Sequence, residues 1–66
     1  MKQGIISSLT DKGFGFITPE GEEKDIFFHS KELENIMFSE LKQGDRVIFE
    51  EAESPKGKNA IHVNVV

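Results

Sequence analysis

Two runs constrain this chain more than anything else in it: Lys12-Gly13-Phe14-Gly15-Phe16-Ile17 and, a few residues later, Asp25-Ile26-Phe27-Phe28-His29. Both read as strands, whose successive side chains point to opposite faces. In the first run Phe14 and Phe16 share one face, while Gly15 and Ile17 share the other. In the second, Asp25, Phe27 and His29 share a face, opposite Ile26 and Phe28. Each strand therefore carries apolar residues on both sides. A chain of 66 residues can enclose only one interior. One set of rings is left outside, free to meet a ligand.

Composition excludes several alternatives. There is no cysteine, hence no disulfide framework and no thiolate metal site. That absence suits a reducing compartment, and the expected location is cytoplasmic. Met1-Lys2-Gln3-Gly4 leads straight into a polar strand without an apolar signal region. No apolar run approaches the length of a membrane span. Residues 1–66 are expected to form one soluble domain. The formal net charge of −4 argues at first against a polyanionic partner. Its distribution softens the objection, because the carboxylates gather in Glu20-Gly21-Glu22-Glu23 and Glu50-Glu51-Ala52-Glu53. Up to Pro19 the balance is slightly positive, through Lys2, Asp11 and Lys12, and Lys56-Gly57-Lys58 adds a small basic patch later. Any binding to nucleic acid must then rest more on stacking than on charge.

Taken in order, residues 4–10 read as a first strand whose imperfect alternation predicts a bulge. Thr10-Asp11-Lys12-Gly13 is a tight turn with Gly13 free to take positive φ. Residues 14–18 form the second strand, Pro19-Glu20-Gly21-Glu22 a turn, and residues 24–29 the third strand. Ser30 is placed to cap a short helical turn, with Leu33 and Ile36 facing the core. Residues 46–51 form a fourth strand, 52–59 a polar loop around Pro55 and Gly57, and 60–66 a fifth strand. Clean alternation in the last puts Ile61, Val63 and Val65 on one side. The expected interior is Ile6, Leu9, Ile17, Ile26, Phe28, Leu33, Val47, Phe49, Ile61 and Val63. Five short strands and a rudimentary helical turn after the third predict an all-β fold, a five-stranded antiparallel barrel of the OB type. Closure also removes exposed edges.

Fold does not fix function; the side chains that could carry chemistry do. Ser7, Ser8, His29 and Asp25 lack triad spacing or a nucleophile elbow, which argues against an enzyme. His29 and His62 lack the clustered partners of a closed metal site and read as surface imidazoles. Gly13 and Gly15 are not followed by a helix, so they make no phosphate loop. No cofactor is implied. The aromatic face is different. Phenylalanine is usually buried, but Phe28 and Ile17 already claim the inner face. Phe14, Phe16, Phe27 and His29, with Lys12 beside them, make an amphipathic platform. Such rings stack on any base, and the intervening glycines let a strand approach closely. The competing reading is an apolar patch that docks a protein or a second copy of the chain.

Lys-Gly-Phe-Gly-Phe-Ile at 12–17 and Asp-Ile-Phe-Phe-His at 25–29 resemble the two ribonucleoprotein motifs of the bacterial cold shock proteins. Gly4, the Pro-Glu-Gly turn, Phe38 before Leu41, the run Gly44-Asp45-Arg46-Val47-Ile48-Phe49 and Pro55-Lys56-Gly57 fit the same pattern, so the resemblance covers essentially the whole chain, as a single cold shock domain. It implies an OB-type barrel that binds single-stranded RNA and DNA with little sequence selectivity, as an RNA chaperone or a regulator of transcription and translation. The positions it carries over are Lys12, Phe14, Phe16, Phe27, His29 and Phe38, the last as a further stacking ring from the rim. A monomer is expected, with a weak homodimer as the other state. The departures are specific. Where the family usually has Lys-Trp-Phe-Asn, this chain has Ser7-Ser8-Leu9-Thr10, and the following loop is one residue shorter. Ser30 stands where a phenylalanine is common. Two rings and one charge are missing, so binding narrower and weaker than usual is expected. Serines there are free, on this reading, to hydrogen-bond to bases or phosphate.

Overall fold

The glycine-punctuated turns place five strands edge to edge in a closed ring. The computed structural model describes residues 1–55 and 57–66. The strands are β1 (Lys2–Leu9), β2 (Phe14–Pro19), β3 (Ile26–His29), β4 (Arg46–Ser54) and β5 (Gly57–Val65), in the spatial order β1-β2-β3-β5-β4. β1–β2, β2–β3, β1–β4 and β4–β5 pair antiparallel. The barrel closes where β3 meets β5 in parallel, at Phe27↔Asn59. That seam joins residues far apart in sequence, and no local pattern signals it.

The expected bulge in β1 is present: Ile6 pairs with Ile17 and Ser8 with Phe16, leaving Ser7 as the extra residue. Gly13 adopts φ +89°, which turns the chain from β1 into β2. Ser30 N–H donates to Gly13 O at 2.9 Å, tying the end of β3 to the same turn.

The core consists of Ile6, Ile17, Ile26, Phe28, Leu41, Val47, Phe49, Ala60 and Val63. Leu9, Leu33, Ile36, Phe38 and Val65 pack against it, half-buried. One expected core residue is displaced. Ile61 is only half-buried, and Ala60 is buried in its place. The reason is a second bulge. Ile48 pairs with Asn64 and Glu50 with Ile61, so His62 and Val63 together oppose Phe49. His62 takes φ +51° as the inserted residue, and alternation flips on either side of it. Clean alternation over residues 60–66 therefore does not hold.

Two further expectations change. The polar loop expected at 52–59 is a hairpin arm, with strand pairing out to Ser54↔Gly57. Backbone pairing needs no apolar side chain, so a solvated arm is invisible to hydrophobic periodicity. Lys56, part of the expected basic patch, lies outside the described residues. The short helical turn is a 3-10 turn, Ser30–Glu32, capped by His29 rather than by Ser30. His29 is the last extended residue (ψ 150°), and its Nδ1 accepts the Lys31 N–H at 3.2 Å. A second 3-10 turn, Phe38–Glu40, precedes β4.

Candidate nucleic-acid interface

β2 and β3 pair in a regular register, with Phe14 opposite His29 and Phe16 opposite Phe27. Directly opposed residues project to the same face, so four side chains stand together on the outside of the barrel. The three rings touch one another: Phe14 and Phe27 have centroids 5.3 Å apart, Phe16 and Phe27 6.1 Å, and Phe14 and Phe16 6.2 Å. Phe14 and Phe16 are half-buried, and Phe27 remains 38% exposed. The edge-to-face and tilted arrangements leave ring surface facing outward while each ring braces its neighbour.

His29 completes the row on the exposed side. Because its Nδ1 accepts from Lys31, the neutral ring carries its proton on Nε2. That nitrogen is the donor edge of the platform. Lys12 is exposed on the turn before Phe14 and takes part in no ion pair among the described residues. The turn under it is stitched by Thr10, whose hydroxyl donates to Phe14 O at 2.9 Å and accepts the Lys12 N–H at 3.3 Å.

Phe38 stands apart from this cluster. Its half-buried ring packs on Phe28, centroid to centroid 6.5 Å, and Phe28 lies on the inner face of β3. It covers the core and makes no ring contact with the triad among the described residues. Five of the six candidate positions thus come from the β1–β2 turn and the paired strands, while Phe38 comes from a separate segment.

Gly15 also acts differently from expectation. Its open side faces inward: a Cβ there would sit 2.7 Å from Ser8 O and 2.9 Å from both Leu9 Cδ2 and Phe28 Cε1. The glycine makes room for Phe28 inside the barrel and does not clear a path for a ligand outside.

Three polar residues at the far end of the platform form a cluster that strand alternation alone does not reveal. Asp25 Oδ1 accepts from the Thr18 hydroxyl at 2.6 Å, and Oδ2 accepts from Ser7 at 2.8 Å. These bonds, Thr18 first, hold the Asp25 carboxyl below its ordinary range, against a smaller opposing effect of desolvation. Ser7 reaches Asp25 because it is the bulged residue. Its hydroxyl is therefore engaged within the protein. Ser8 is exposed opposite Phe16, beside the rings. Asp25 is detectable from sequence as sharing a face with Phe27 and His29, but its partners depend on the bulge.

Beside Phe27 the surface continues into a shallow groove, lined among the described residues by Phe27, Ser54, Lys58 and Asn59. A second hollow runs along β1, past Gln3, Ile5, Thr18, Pro19 and Arg46, with no aromatic ring among the described residues that line it. Acidic charge is partly neutralised elsewhere: Lys2 Nζ lies 3.1 Å from Glu22 and 3.2 Å from Glu51. His62, read from sequence as a plain surface imidazole, is exposed but flanked by Glu34 and Glu50 at 2.7 and 3.7 Å.

The profile of the 'Cold-shock' DNA-binding domain matches residues 2–66. The chain is similar to a probable cold shock protein A of Mycolicibacterium smegmatis, 39% identical over 67 residues with both chains fully covered. It is similar to the cold shock-like protein CspE of Escherichia coli, 46% identical over 52 residues, covering 79% of this chain and 75% of the relative. Among solved structures it resembles the one described as drosophila Unr CSD456, with a TM-score of 0.83 and 29% identity. That likeness covers 98% of this chain and 26% of the longer one.

Proposed function

The chain belongs to the cold-shock DNA-binding domain family, and from that membership we propose that it binds single-stranded RNA or DNA by stacking bases on Phe14, Phe16 and Phe27. The observation that carries this reading is the three-ring cluster on the outer face of β2–β3, beside a closed core that does not need it. Each base–ring contact contributes about 1–3 kcal/mol and tolerates any base. His29 offers a ring and an Nε2–H donor at one end, Lys12 a cation for phosphate, and Phe38 a further ring. Asp25, fixed as an acceptor, faces the other end.

The binding is non-catalytic and suits an RNA chaperone, which needs to hold strands unpaired without selecting a sequence. We place the protein in the cytoplasm as a monomer; no helix among the described residues is long and apolar enough to cross a membrane. With Ser8 and Ser30 in place of rings, the footprint is shorter than usual for the family.

Calorimetric titration with a short pyrimidine-rich strand at two salt concentrations tests this. The expected result is saturable binding with a shallow salt slope, because few cations border the rings. A steep slope would shift the weight to basic loops. Absence of binding together with concentration-dependent self-association would select the protein-docking alternative, which the exposed Phe27 also fits.

A further inference from the structure

Residues 33–37 join the two 3-10 turns, and polar contacts fasten them to β5. Leu33 bridges Val63, and Glu34 N–H donates to Val63 O at 2.9 Å. The Asn35 side chain donates to Val65 O at 3.0 Å and accepts the Val65 N–H at 2.8 Å. The Glu34 carboxylate is held at both oxygens, by Asn64 Nδ2 at 2.9 Å and by His62 Nδ1 at 2.7 Å. His62 Nε2 faces Glu50 on β4 at 3.7 Å. Among the described residues His62 is also the non-glycine residue at positive φ, placed by the bulge where its ring can reach both carboxylates.

Phe38 follows Asn35 by three residues, a tether of at most about 11 Å of chain. Where that ring stands depends on how firmly the preceding segment is docked. We propose that Glu34, His62 and Asn64 are positioning residues for Phe38: they clamp segment 33–37 to β5, and nucleic-acid binding through that ring strengthens as His62 gains its proton. The effect on binding rests on the reading of Phe38 as a stacking ring; the clamp itself does not.

Among the described residues, the charged groups facing His62 are carboxylates: Glu34 from the segment, Glu50 from β4 and Glu32 from the first 3-10 turn. The protonated ring donates to Glu34 and faces Glu50 with its second N–H. The neutral ring keeps one proton, and with that on Nδ1 it turns a bare Nε2 lone pair toward the Glu50 oxygen. The Glu34 bond foremost raises the His62 pKa; desolvation opposes it, and the negative charge of Glu34, Glu50 and Glu32 adds to the rise. Glu34 is lowered by Asn64 first and His62 second, again against desolvation. The clamp is therefore fully charged between the depressed carboxyl and the raised imidazole. It weakens as pH rises through the latter.

The test compares the wild type with His62→Asn, since asparagine tolerates positive φ and does not titrate. Nuclear magnetic resonance of the Phe38 ring between pH 5 and 9 should follow the His62 midpoint in the wild type and stay flat in the variant. Affinity for a short oligothymidylate should fall about two- to threefold more between pH 6 and pH 8 in the wild type than in His62→Asn, as fits an exposed pair. The comparison cancels any contribution of His29, and the excess should vanish in a Phe38→Ala background. Phe38 resonances indifferent to His62 would overturn the clamp. An excess pH dependence of affinity that survives Phe38→Ala would overturn the effect on binding through that ring. Coupled resonances with unchanged affinity in Phe38→Ala would uphold the clamp and remove Phe38 from the binding surface.

Discussion

Phe27 and Phe28 are neighbours in the chain and opposites in their surroundings. Phe28 is 0% exposed in the barrel, in one core cluster with Ile17 and Ile26, while Phe27 is 38% exposed on the outer face, within ring distance of Phe14 and Phe16. A period of two puts both on one four-residue strand. The inner ring belongs to the only interior so small a chain can close. The outer ring adds little to that interior, so its loss should be felt by a ligand. On the proposed function, one residue type serves stability on one side of the strand and recognition on the other.

The largest effect should come from breaking the inner side. Phe28→Ala is expected to cost roughly 3 kcal/mol or more, on the order of 15 °C in melting temperature for a domain of this size. A thermal melt followed by circular dichroism reads this; a shift of only a few degrees would mean the core is looser than described. The outer counterpart is Phe27→Ala, expected to weaken binding to an unstructured oligonucleotide about tenfold or more while the melting temperature stays within a few degrees. Calorimetry and melting together separate the two losses. An equal loss of fold in both variants would erase the distinction between the faces.

Restoring a ring should extend the outer face. Ser8 is exposed directly opposite Phe16, so Ser8→Trp is expected to extend the platform and tighten binding several-fold, up to about tenfold. Because the chain has neither Trp nor Tyr, the new indole also reports the binding by fluorescence quenching. The smallest effect belongs to the polar end. Asp25 has a folded pKa below its unfolded one, so its contribution is present above the unfolded carboxyl pKa and fades as pH falls through the folded value. Melting temperature should fall slightly less between pH 5 and pH 3 in Asp25→Asn than in the wild type. Identical acid slopes would show that Thr18 and Ser7 do not stabilise the carboxylate.

How much of this was legible in the sequence follows from where the ladders are regular. On β2 and β3 no bulge intervenes, so alternation alone assigns Phe14, Phe16, Phe27 and His29 to the outside and Ile17, Ile26 and Phe28 to the inside. On β5 the bulge at His62 exchanges Ile61 for Ala60 in the core, and an apolar-rich pattern gives no sign of an inserted residue. The hairpin arm beyond Glu51 escaped for a related reason, since its pairing is carried by backbone under polar side chains. The Ser7–Asp25–Thr18 cluster beside the candidate site and the His62 contacts on β5 both hang on bulged residues. Their partners lie 18 and 28 residues away, beyond the reach of local spacing. Phe38 was legible as an aromatic near the rim, but its packing on Phe28 is a tertiary fact.

The most direct measurement observes the six phenylalanines separately. Ring resonances of a phenylalanine-labelled sample, followed as a short single strand is added, report which rings meet bases. Large shifts are expected for Phe14, Phe16 and Phe27 and small ones for Phe28 and Phe49. Saturable binding that leaves the three outer rings unmoved would contradict it.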